Sequence, residues 1–357
     1  MKDKQYGLSL VELMIAITLG LILLTGVMQV FLSSKTVFST QQALSRIQET
    51  GRLGIEFISR DIRMAGYMGC ASRSAYMTVT NTLNSPNNFQ YDFGTAIKGY
   101  TQGSSTNAIP VGTLTPAALD KTDMVVVRSA TGGGVTVTQN NNGAQVFLKH
   151  TGTEAGACGT NSDRISGICP DDIVVMTDCT KARVFQVTSL NVASNEVNVT
   201  HAGTGTPGNA ITSWGGNSAP EEEVFKPGAE LLLASNITYY IATGTSGRPS
   251  LWQKVNNTEL ELLEGVEDMS ITYGVDTTAQ MDFVPDGDYK TAEKVANDWA
   301  RVVSVRVELL VASIEDNVVP DVQKYRFKGV DDVSPNPADR RLRQVFSTTI
   351  GIRSRSF

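Results

Sequence analysis

Four cysteines are the residues whose chemistry the sequence constrains most: Cys70, Cys158, Cys169 and Cys179. Outside the cytoplasm, an even number of cysteines indicates two disulfides, with three possible pairings. Cys158 and Cys169 enclose a short loop that contains Gly, Asn and Ser and is easy to close. We predict Cys158–Cys169 and Cys70–Cys179, and the other pairings stay open. A zinc site is the alternative, but the sequence lacks the C-x-x-C spacing typical of one.

Few other residues are suited to catalysis or cofactor binding. The chain has two histidines, His150 and His201, and neither belongs to a recognisable serine–histidine–carboxylate pattern. The glycine runs at 132–134 and 203–205 lack the Gly-Lys-Ser/Thr ending of a phosphate-binding loop. We therefore predict no enzymatic activity, no metal site and no cofactor.

Charged clusters have simpler interpretations. Asp282, Asp286 and Asp288 do not follow the spacing of a calcium-binding loop, so they predict a solvated turn. The arginines at 340–343 and 353–355 are expected to form ion pairs within an acidic head, with an interface to another subunit or to DNA as the alternative. A net charge of −6 argues against a broad nucleic-acid-binding surface, and no nucleic acid is expected as a partner.

One carboxylate lies at the edge of a long apolar segment. Leu13–Ser34 contains no charged residue, and about 20 residues of helix span the roughly 30 Å hydrocarbon core of a bilayer. Lys2 and Lys4 before it favour a cytoplasmic N-terminus. A secretory signal peptide would have a shorter apolar core and an A-x-A-like cleavage site. A plain membrane anchor would leave Glu12 unexplained, since a carboxylate near lipid needs a partner or a purpose.

The stretch Gly7–Glu12, Gly-Leu-Ser-Leu-Val-Glu, followed at once by the apolar segment, resembles the type III signal of type IV prepilins and pseudopilins. The resemblance implies that a prepilin peptidase removes residues 1–7, cutting between Gly7 and Leu8. Leu8 then becomes the N-methylated first residue, where many relatives have Phe. Glu12 is kept as the assembly charge, and we expect it to pair with the N-terminus of a neighbouring subunit and to set the axial register.

The helix is expected to continue beyond the apolar segment. Apolar and small residues recur at steps of three and four, which is typical of one helical stripe: Leu44, Ile47, Gly51, Ile55, Ile58, Ile62 and Ala65. Charged residues, among them Arg46, Arg52, Glu56 and Asp61, are expected on other faces. The pattern predicts one helix from about residue 8 to residue 64, roughly 85 Å long. Two helices with a break near Ser33 and Ser34 are the alternative.

Residues 70–357 favour strands and loops. Short apolar or alternating segments predict strands at 124–128, 173–176, 302–312 and 346–352, and hairpins that join 182–188 to 196–200 and 236–242 to 249–255. The polar stretches 81–107 and 203–220 are expected to be surface loops. The predicted fold class is α+β, with a long N-terminal helix, membrane-spanning in its first half, packed on an antiparallel β-rich globular head. The domains are 1–7 leader, 8–34 transmembrane and assembly helix, 35–69 amphipathic helix and 70–357 periplasmic head.

Four blocks along the chain resemble the PilW family of type IV pilus minor pilins: Asp61–Cys70, Asp172–Val187, Arg301–Arg306 and Arg340–Ile350. This resemblance implies a low-abundance subunit that takes part in initiating pilus assembly near the pilus tip. It also implies an inner-membrane protein of a Gram-negative bacterium, with a single span and a periplasmic head, which later enters the pilus on the cell surface.

The resemblance also implies the partners. These are the prepilin peptidase, other minor pilins, the major pilin, the inner-membrane assembly platform and a large tip adhesin. A large minor pseudopilin of a type II secretion system is the alternative function, because it uses the same signal and a similar plan. A tip adhesin, whose polar loops contact a surface or DNA, is a further alternative.

Overall fold

The computed structural model describes residues 9–70, 78–105, 107–110, 112–159 and 162–355. The described chain opens with one helix of 54 residues, α1 (Leu10–Arg63). Ser9 caps it, since the Ser9 hydroxyl accepts a hydrogen bond from the Glu12 backbone N–H at 3.1 Å. At the standard rise the helix is about 80 Å long. It is continuous through Ser33 and Ser34, so the prediction of a single helix is confirmed and the alternative of a break is wrong.

After α1, the described residues form a head of short and long strands with one further α-helix, α2 (Ala292–Val295). The strands are β1 (Thr78–Asn81), β2 (Ile97–Thr101), β3 (Asp123–Gln139), β4 (Gln145–Lys149), β5 (Thr153–Glu154), β6 (Arg164–Ile165), β7 (Ile173–Thr177), β8 (Lys181–Gln186), β9 (Ser189–Ala193), β10 (Glu196–Thr200), β11 (Glu230–Thr243), β12 (Pro249–Val255), β13 (Thr258–Glu264), β14 (Val266–Val275), β15 (Lys290–Thr291), β16 (Val302–Ala312), β17 (Tyr325–Phe327), β18 (Val330–Val333) and β19 (Arg343–Gly351).

Two sheets make up most of the head. The larger has the order β1-β8-β7-β11-β3-β4-β10-β9, with β2 beside β3 and the β12–β13 hairpin beside β11. The smaller has the order β15-β14-β16-β19. β1 pairs with β8 in parallel, whereas the pairs along the rest of both sheets are antiparallel. The predicted α+β class, with a long helix on an antiparallel β-rich head, is therefore confirmed.

The second half of α1 packs where the two sheets meet. Ile47, Ile58 and Ile62 are buried in one apolar cluster with residues from both sheets. The smaller sheet contributes Met269, Ile271, Val305, Val307, Leu309 and Ile350, and the larger sheet contributes Val125, Val127, Tyr239, Ile241 and Leu251. The helix thus closes the core between the sheets, and burial of these apolar side chains is the main force that holds it to the head.

Two glycines let α1 approach the smaller sheet closely. A Cβ atom added at Gly51 would collide with the ring of Phe346 on β19, and one added at Gly54 would lie 2.8 Å from Leu309 Cδ1 on β16. The face of α1 that contacts the head therefore includes residues without side chains, which a pattern of large apolar residues does not reveal. Ala43 is buried, while Leu44, which we had placed on the stripe, is exposed. That part of the expectation is wrong, because the buried face continues from Ile47 and Gly51 to Ala43, four residues before Ile47, and Leu44 lies beside that face.

A second apolar core lies around Trp214, far from α1. It contains Val135, Val137, Phe185, Val199, Phe225 and Leu231. The long strands β3 and β11 run through both cores: Val125 and Val127 of β3 belong to the first and its Val135 and Val137 to the second. The described residues contain two further apolar clusters, and β3 and β11 contribute to all four, so the head is built on strands that its cores share.

Several local predictions need correction. The hairpin expected between 182–188 and 196–200 is wrong, because β10 pairs instead with β9 and β4, while β8 lies between β7 and β1. The stretch 81–107 contains strand β2 and the buried residues Leu83 and Phe93, and 203–220 contains the buried Trp214. These segments look polar because single apolar anchors are separated by many polar residues. By contrast, the hairpin of 236–242 with 249–255 is present as β11–β12.

Candidate functional site: the projecting helix and its junction with the head

The first part of α1 projects from the head without cover. Residues 10–39 are exposed, although they include large apolar side chains such as Leu21, Ile22, Leu24, Val27 and Phe31. The first hydrogen bond from α1 to the head is from the Thr40 hydroxyl to the Val318 carbonyl oxygen, at 3.2 Å. By length and composition, α1 is able to cross a membrane. An apolar surface of this size is unstable in water, so it requires lipid or other helices around it.

The polar side chains in this apolar segment are satisfied locally. The Thr18 hydroxyl donates to the Ile15 carbonyl at 2.9 Å, and the Thr25 hydroxyl donates to the Leu21 carbonyl at 2.5 Å. Such bonds allow threonine in an apolar helix without an unpaired hydroxyl. Glu12 lies exposed in the first turn, where the helix dipole favours a negative charge. The expected cleavage and methylation residues, Gly7 and Leu8, lie outside the described residues.

A buried carboxylate joins α1 to the head. Asp61, which we had placed off the packing stripe, is buried. The Tyr239 hydroxyl donates to Asp61 Oδ2 at 2.6 Å, and Gln253 Nε2 donates to the same oxygen at 3.2 Å. Burial and the charge of Asp61 raise the pKa of Tyr239 well above its ordinary value, so Tyr239 stays protonated and remains a donor. Two strands of the larger sheet therefore hold the last turns of the helix.

The end of α1 is fastened by further contacts. The Gly66 backbone N–H donates to the Arg128 carbonyl at 2.8 Å, and the Ser354 hydroxyl donates to the Ala65 carbonyl at 2.8 Å. Arg128 is itself buried, and its guanidinium donates to the carbonyl oxygens of Phe89 and Thr95. Helix, large sheet and C-terminus thus meet at residues 61–66.

The structure contains two disulfides, Cys70–Cys179 and Cys158–Cys169, which are the pairs favoured in the sequence analysis. Cys70 lies seven residues beyond the end of α1, and Cys179 lies between β7 and β8. The first bond therefore ties the helix end to the larger sheet, whereas the second closes a short loop. With all four cysteines in disulfides, none remains free to bind zinc.

The basic cluster near the C-terminus forms internal ion pairs. Arg343 is buried and donates to Glu267 from Nε at 2.6 Å and from Nη2 at 2.9 Å, while Asp339 receives its other bonds. Although burial opposes the charge, the hydrogen bonds that Arg343 donates to Asp339 and Glu267 raise its pKa. Arg340 donates to Asn317. Arg353 is exposed on the groove beside α1.

The acidic turn is stabilised by bonds to its own chain. Asp286 accepts from the Thr277 backbone N–H at 2.6 Å and from the Thr277 hydroxyl at 3.0 Å. The nearby Asp276 is buried and accepts from Thr278 and from the Phe283 N–H. Across the residues that the structure describes, no group of three or more His, Cys, Asp or Glu side chains is arranged to hold a metal ion.

The two histidines are in different surroundings. His150 is partly exposed, with Nε2 at 3.1 Å from the Thr153 hydroxyl. His201 is buried against Trp214, with ring centroids 4.3 Å apart. Burial and the charge of Arg183 lower the pKa of His201 to about 4. The glycine run 132–134 lies within strand β3, not in a loop.

Sequence reasoning missed Asp61, Arg128 and Arg343 as key polar residues. Most of their partners are distant along the chain: 33 and 39 residues for Arg128, 178 and 192 for Asp61, and 76 for the Glu267 partner of Arg343. A charged residue at a position where helical periodicity expects an apolar contact was the available signal for Asp61. No comparable pattern marks Arg128, which lies in an apolar strand.

Two families match parts of the chain. Residues 2–28 match the Prokaryotic N-terminal methylation motif, and residues 238–354 match the family described as Type IV Pilus-assembly protein W. Neither a curated protein nor a solved structure matches. The second match begins in β11 and covers the smaller sheet, so it includes the blocks 301–306 and 340–350 but not 61–70 or 172–187.

Together the two matches are consistent with a PilW-family pilin and support a type IV pilus minor pilin. They point to a structural protein and not to an enzyme. The methylation motif and the single apolar N-terminal helix fit a pilin anchored in the inner membrane. Interaction with other pilus components and association with a membrane follow from the same families.

Proposed function

We propose that the prepilin peptidase cuts this chain between Gly7 and Leu8, and that the mature protein takes part in initiating type IV pilus assembly near the tip. The observation that carries the proposal is the projecting apolar half of α1, exposed from residue 10 to residue 39 beneath a folded head. Such a helix can lie in the bilayer first and then among the helices of a fibre. The methylation motif at residues 2–28 supports processing at this end.

The proposed division of the chain follows from the same layout. Residues 1–7 form the leader, 8–34 the transmembrane and assembly segment, 35–69 the amphipathic half of the helix, and 70–357 the periplasmic head. After assembly the head lies in the pilus on the cell surface. The partners are the peptidase, other minor pilins, the major pilin, the inner-membrane assembly platform and a tip adhesin.

Processing is tested by the intact mass of the protein purified from membranes, with and without its peptidase, reduced and unreduced. We expect a chain that begins at N-methylated Leu8 and is lighter by about four hydrogens when oxidised, because two disulfides form. Gly7→Val should retain residues 1–7, while Gln5→Asn should be cut normally. A wild-type chain that keeps Met1–Gly7 in cells with the peptidase would show that the protein is an anchored head and not a processed pilin.

The role of Glu12 is tested by incorporation into pili. In a fibre of packed helices, an unpaired buried charge costs several kcal/mol, so Glu12 should pair with the N-terminus of a neighbour and favour the correct register. We expect Glu12→Ala to lower the amount of this protein in sheared pili by about tenfold or more, with unchanged thermal unfolding of the head. Glu49→Ala, which removes an exposed carboxylate further along α1, should have no such effect. Equal incorporation of both variants would exclude the assembly role of Glu12.

A further inference from the structure

A groove of about 600 Å³ lies between α1 and the last strand, β19. Ile55, Met64 and Phe346 provide its apolar lining. One wall is the flank of α1, and the other is the free edge of the smaller sheet, since β19 pairs with β16 alone among the described strands. The groove is therefore bounded by both a helix and an open strand edge.

The free edge of β19 offers unpaired backbone groups, and two bonds at its ends show which residues these are. Ile352 N–H donates to the Val303 carbonyl, and Ser313 N–H donates to the Leu342 carbonyl, so the even-numbered residues here face β16. Because bonding alternates along an antiparallel strand, the backbone groups of Val345, Ser347 and Thr349 point away from β16. Within the described part of the chain no other backbone group pairs with them. This edge can accept one more strand.

The groove is also strongly basic. Arg52, Arg60 and Arg63 line it from α1, and Arg353 lines it just after β19; all four are exposed. Arg60 lies 3.2 Å from Asp61. For the other three, no carboxylate of the described residues is within ion-pair distance. Glu56 offsets one positive charge, so a net positive groove lies on a chain whose net charge is −6.

Two structural explanations account for part of this charge. Cations near the C-terminus of a helix are stabilised by its dipole, which explains Arg60 and Arg63. Charged side chains also protect strand edges from aggregation, which explains Arg353. Neither explains Arg52, about three turns before the helix end, and neither requires these arginines to converge on one groove.

We propose that this groove binds an extended acidic segment of a neighbouring pilus subunit. The segment adds as a strand to the edge of β19, and its carboxylates pair with the arginines. A second copy of this chain is a poor occupant, because pairing two β19 edges would bring two sets of arginines together. Arg52 lies about 25 Å along the helix from Ser34, which takes the groove away from lipid headgroups. The identity of the partner as a pilus subunit rests on the proposed function.

The test is binding of defined peptides to the full-length protein in detergent micelles, followed by fluorescence anisotropy. The probe is a labelled nine-residue peptide in which Glu alternates with Thr and Val, and the control peptide has Lys in place of Glu. We expect the acidic peptide to bind at least tenfold more tightly than the Lys peptide. Bound acidic peptide should also slow hydrogen exchange at residues 344–351.

Variants separate the groove from general charge effects. Arg52→Gln with Arg353→Gln should weaken binding about 3- to 10-fold, since two exposed ion pairs are lost. Arg46→Gln with Arg164→Gln removes the same charge from two arginines outside the groove, one exposed and one partly exposed, and should leave binding unchanged. Ser347→Pro removes an outward N–H and should weaken binding several-fold.

Four results would overturn the inference. These are no binding of the acidic peptide, equal binding of the Lys peptide, equal loss in both arginine double variants, and displacement of the acidic peptide by a ten-residue thymidine oligonucleotide that binds the groove more tightly. Failure here is distinct from failure of the proposed function, because peptide binding does not depend on removal of the leader. If the leader is removed in cells but the acidic peptide does not bind, the proposed function stands and the inference of a docking site in this groove is rejected.

Discussion

At the scale of single residues, the second core is organised around aromatic stacking with buried polar side chains. His201 stacks on Trp214, and Phe185 meets His201 edge-on with centroids 5.6 Å apart. The Arg183 guanidinium lies over the same indole at 4.7 Å. A permanent cation on one side of Trp214 disfavours a second one, so His201 is held neutral in this core.

This arrangement predicts a pH dependence of stability. Burial and Arg183 lower the pKa of His201 to about 4 in the folded state, against about 6.5 unfolded. The unfolded state therefore binds more protons than the folded state between these two pH values. The stabilisation that comes from keeping His201 neutral is complete above pH 6.5 and is lost as the pH falls toward 4. Between pH 7.5 and pH 5, His201 should reduce the free energy of unfolding by about 2 kcal/mol.

Urea unfolding followed by tryptophan fluorescence, with the full chain in detergent, measures this effect. Carboxylates titrate in the same pH range, so His201→Phe is compared with wild type at both pH values. The difference between the two proteins gives the part of the pH dependence that comes from His201. The phenylalanine variant should lose about 2 kcal/mol less on acidification. His150→Gln alters the other histidine, which is not buried, and should behave like wild type. Identical pH dependence in wild type and His201→Phe would contradict the prediction.

At the scale of elements, the contact between α1 and the smaller sheet depends on the absence of side chains. Gly51 lies against the ring of Phe346 and Gly54 against Leu309. Glycine inside a helix costs about 1 kcal/mol relative to alanine. Its presence at these two positions therefore reflects the close approach of helix and sheet.

Alanine at Gly51 should destabilise the protein in spite of its higher helix propensity. The new methyl group must displace the Phe346 ring, and overpacking of this kind costs about 1–3 kcal/mol. After the propensity gain of about 1 kcal/mol, we expect a net loss of up to about 2 kcal/mol in the free energy of unfolding. The double variant Gly51→Ala with Phe346→Leu should recover part of the loss. A Gly51→Ala protein more stable than wild type would show that the helix does not sit against β19 as described.

The helices and strands also show which parts of the fold can be predicted from local sequence patterns. The continuous helix, the β11–β12 hairpin and the strand at 302–312 follow from apolar periodicity, which is a local property. The apolar pattern predicted Leu44 in place of Ala43 on the buried face and left Asp61 off it, because the prediction followed the apolar residues and not the helical positions alone. Asp61 is tolerated in the interface because Tyr239 and Gln253 donate to it, and these partners are 178 and 192 residues away.

At the scale of the whole molecule, the two disulfides should contribute unequally to stability. Cys70–Cys179 spans 109 positions of sequence and Cys158–Cys169 spans 11. In the loop-entropy description, loops of these sizes correspond to about 5 and about 3 kcal/mol. We expect Cys70→Ser with Cys179→Ser to lower the free energy of unfolding by more than Cys158→Ser with Cys169→Ser.

Urea unfolding of the two double variants, beside the wild type, measures the difference. A larger loss in the short-loop variant would mean that the long segment between Cys70 and Cys179 stays compact in the unfolded state. The same comparison in reducing buffer serves as the control, since wild type and both variants should then have similar midpoints.

The candidate site and the order of the strands differ in what a sequence can show. Glu12 and its apolar helix form one contiguous segment, so a motif and its context are enough to predict the site, and the methylation motif covers that segment. The order of strands in the larger sheet is non-local: β8 lies beside β1, and β11 lies between β7 and β3. The residue pattern of β8 does not show whether its partner is the next strand along the chain or a strand about 100 residues earlier. The hairpin prediction at 182–200 was wrong for this reason.

The fastening of the helix end has a mechanical consequence for a subunit held in a fibre under tension. A pull along α1 reaches Cys70 through the backbone and crosses directly to Cys179, whose Cα lies 4.7 Å away. The chain between these two cysteines, which includes β1 to β7, is bypassed by the disulfide and carries no load through its covalent backbone. The packed face between Ala43 and Ala65 is loaded in shear, so its contacts resist together and not one after another. For such a load, the Cys70–Cys179 disulfide is a shorter covalent path than the 109 positions of chain that it spans.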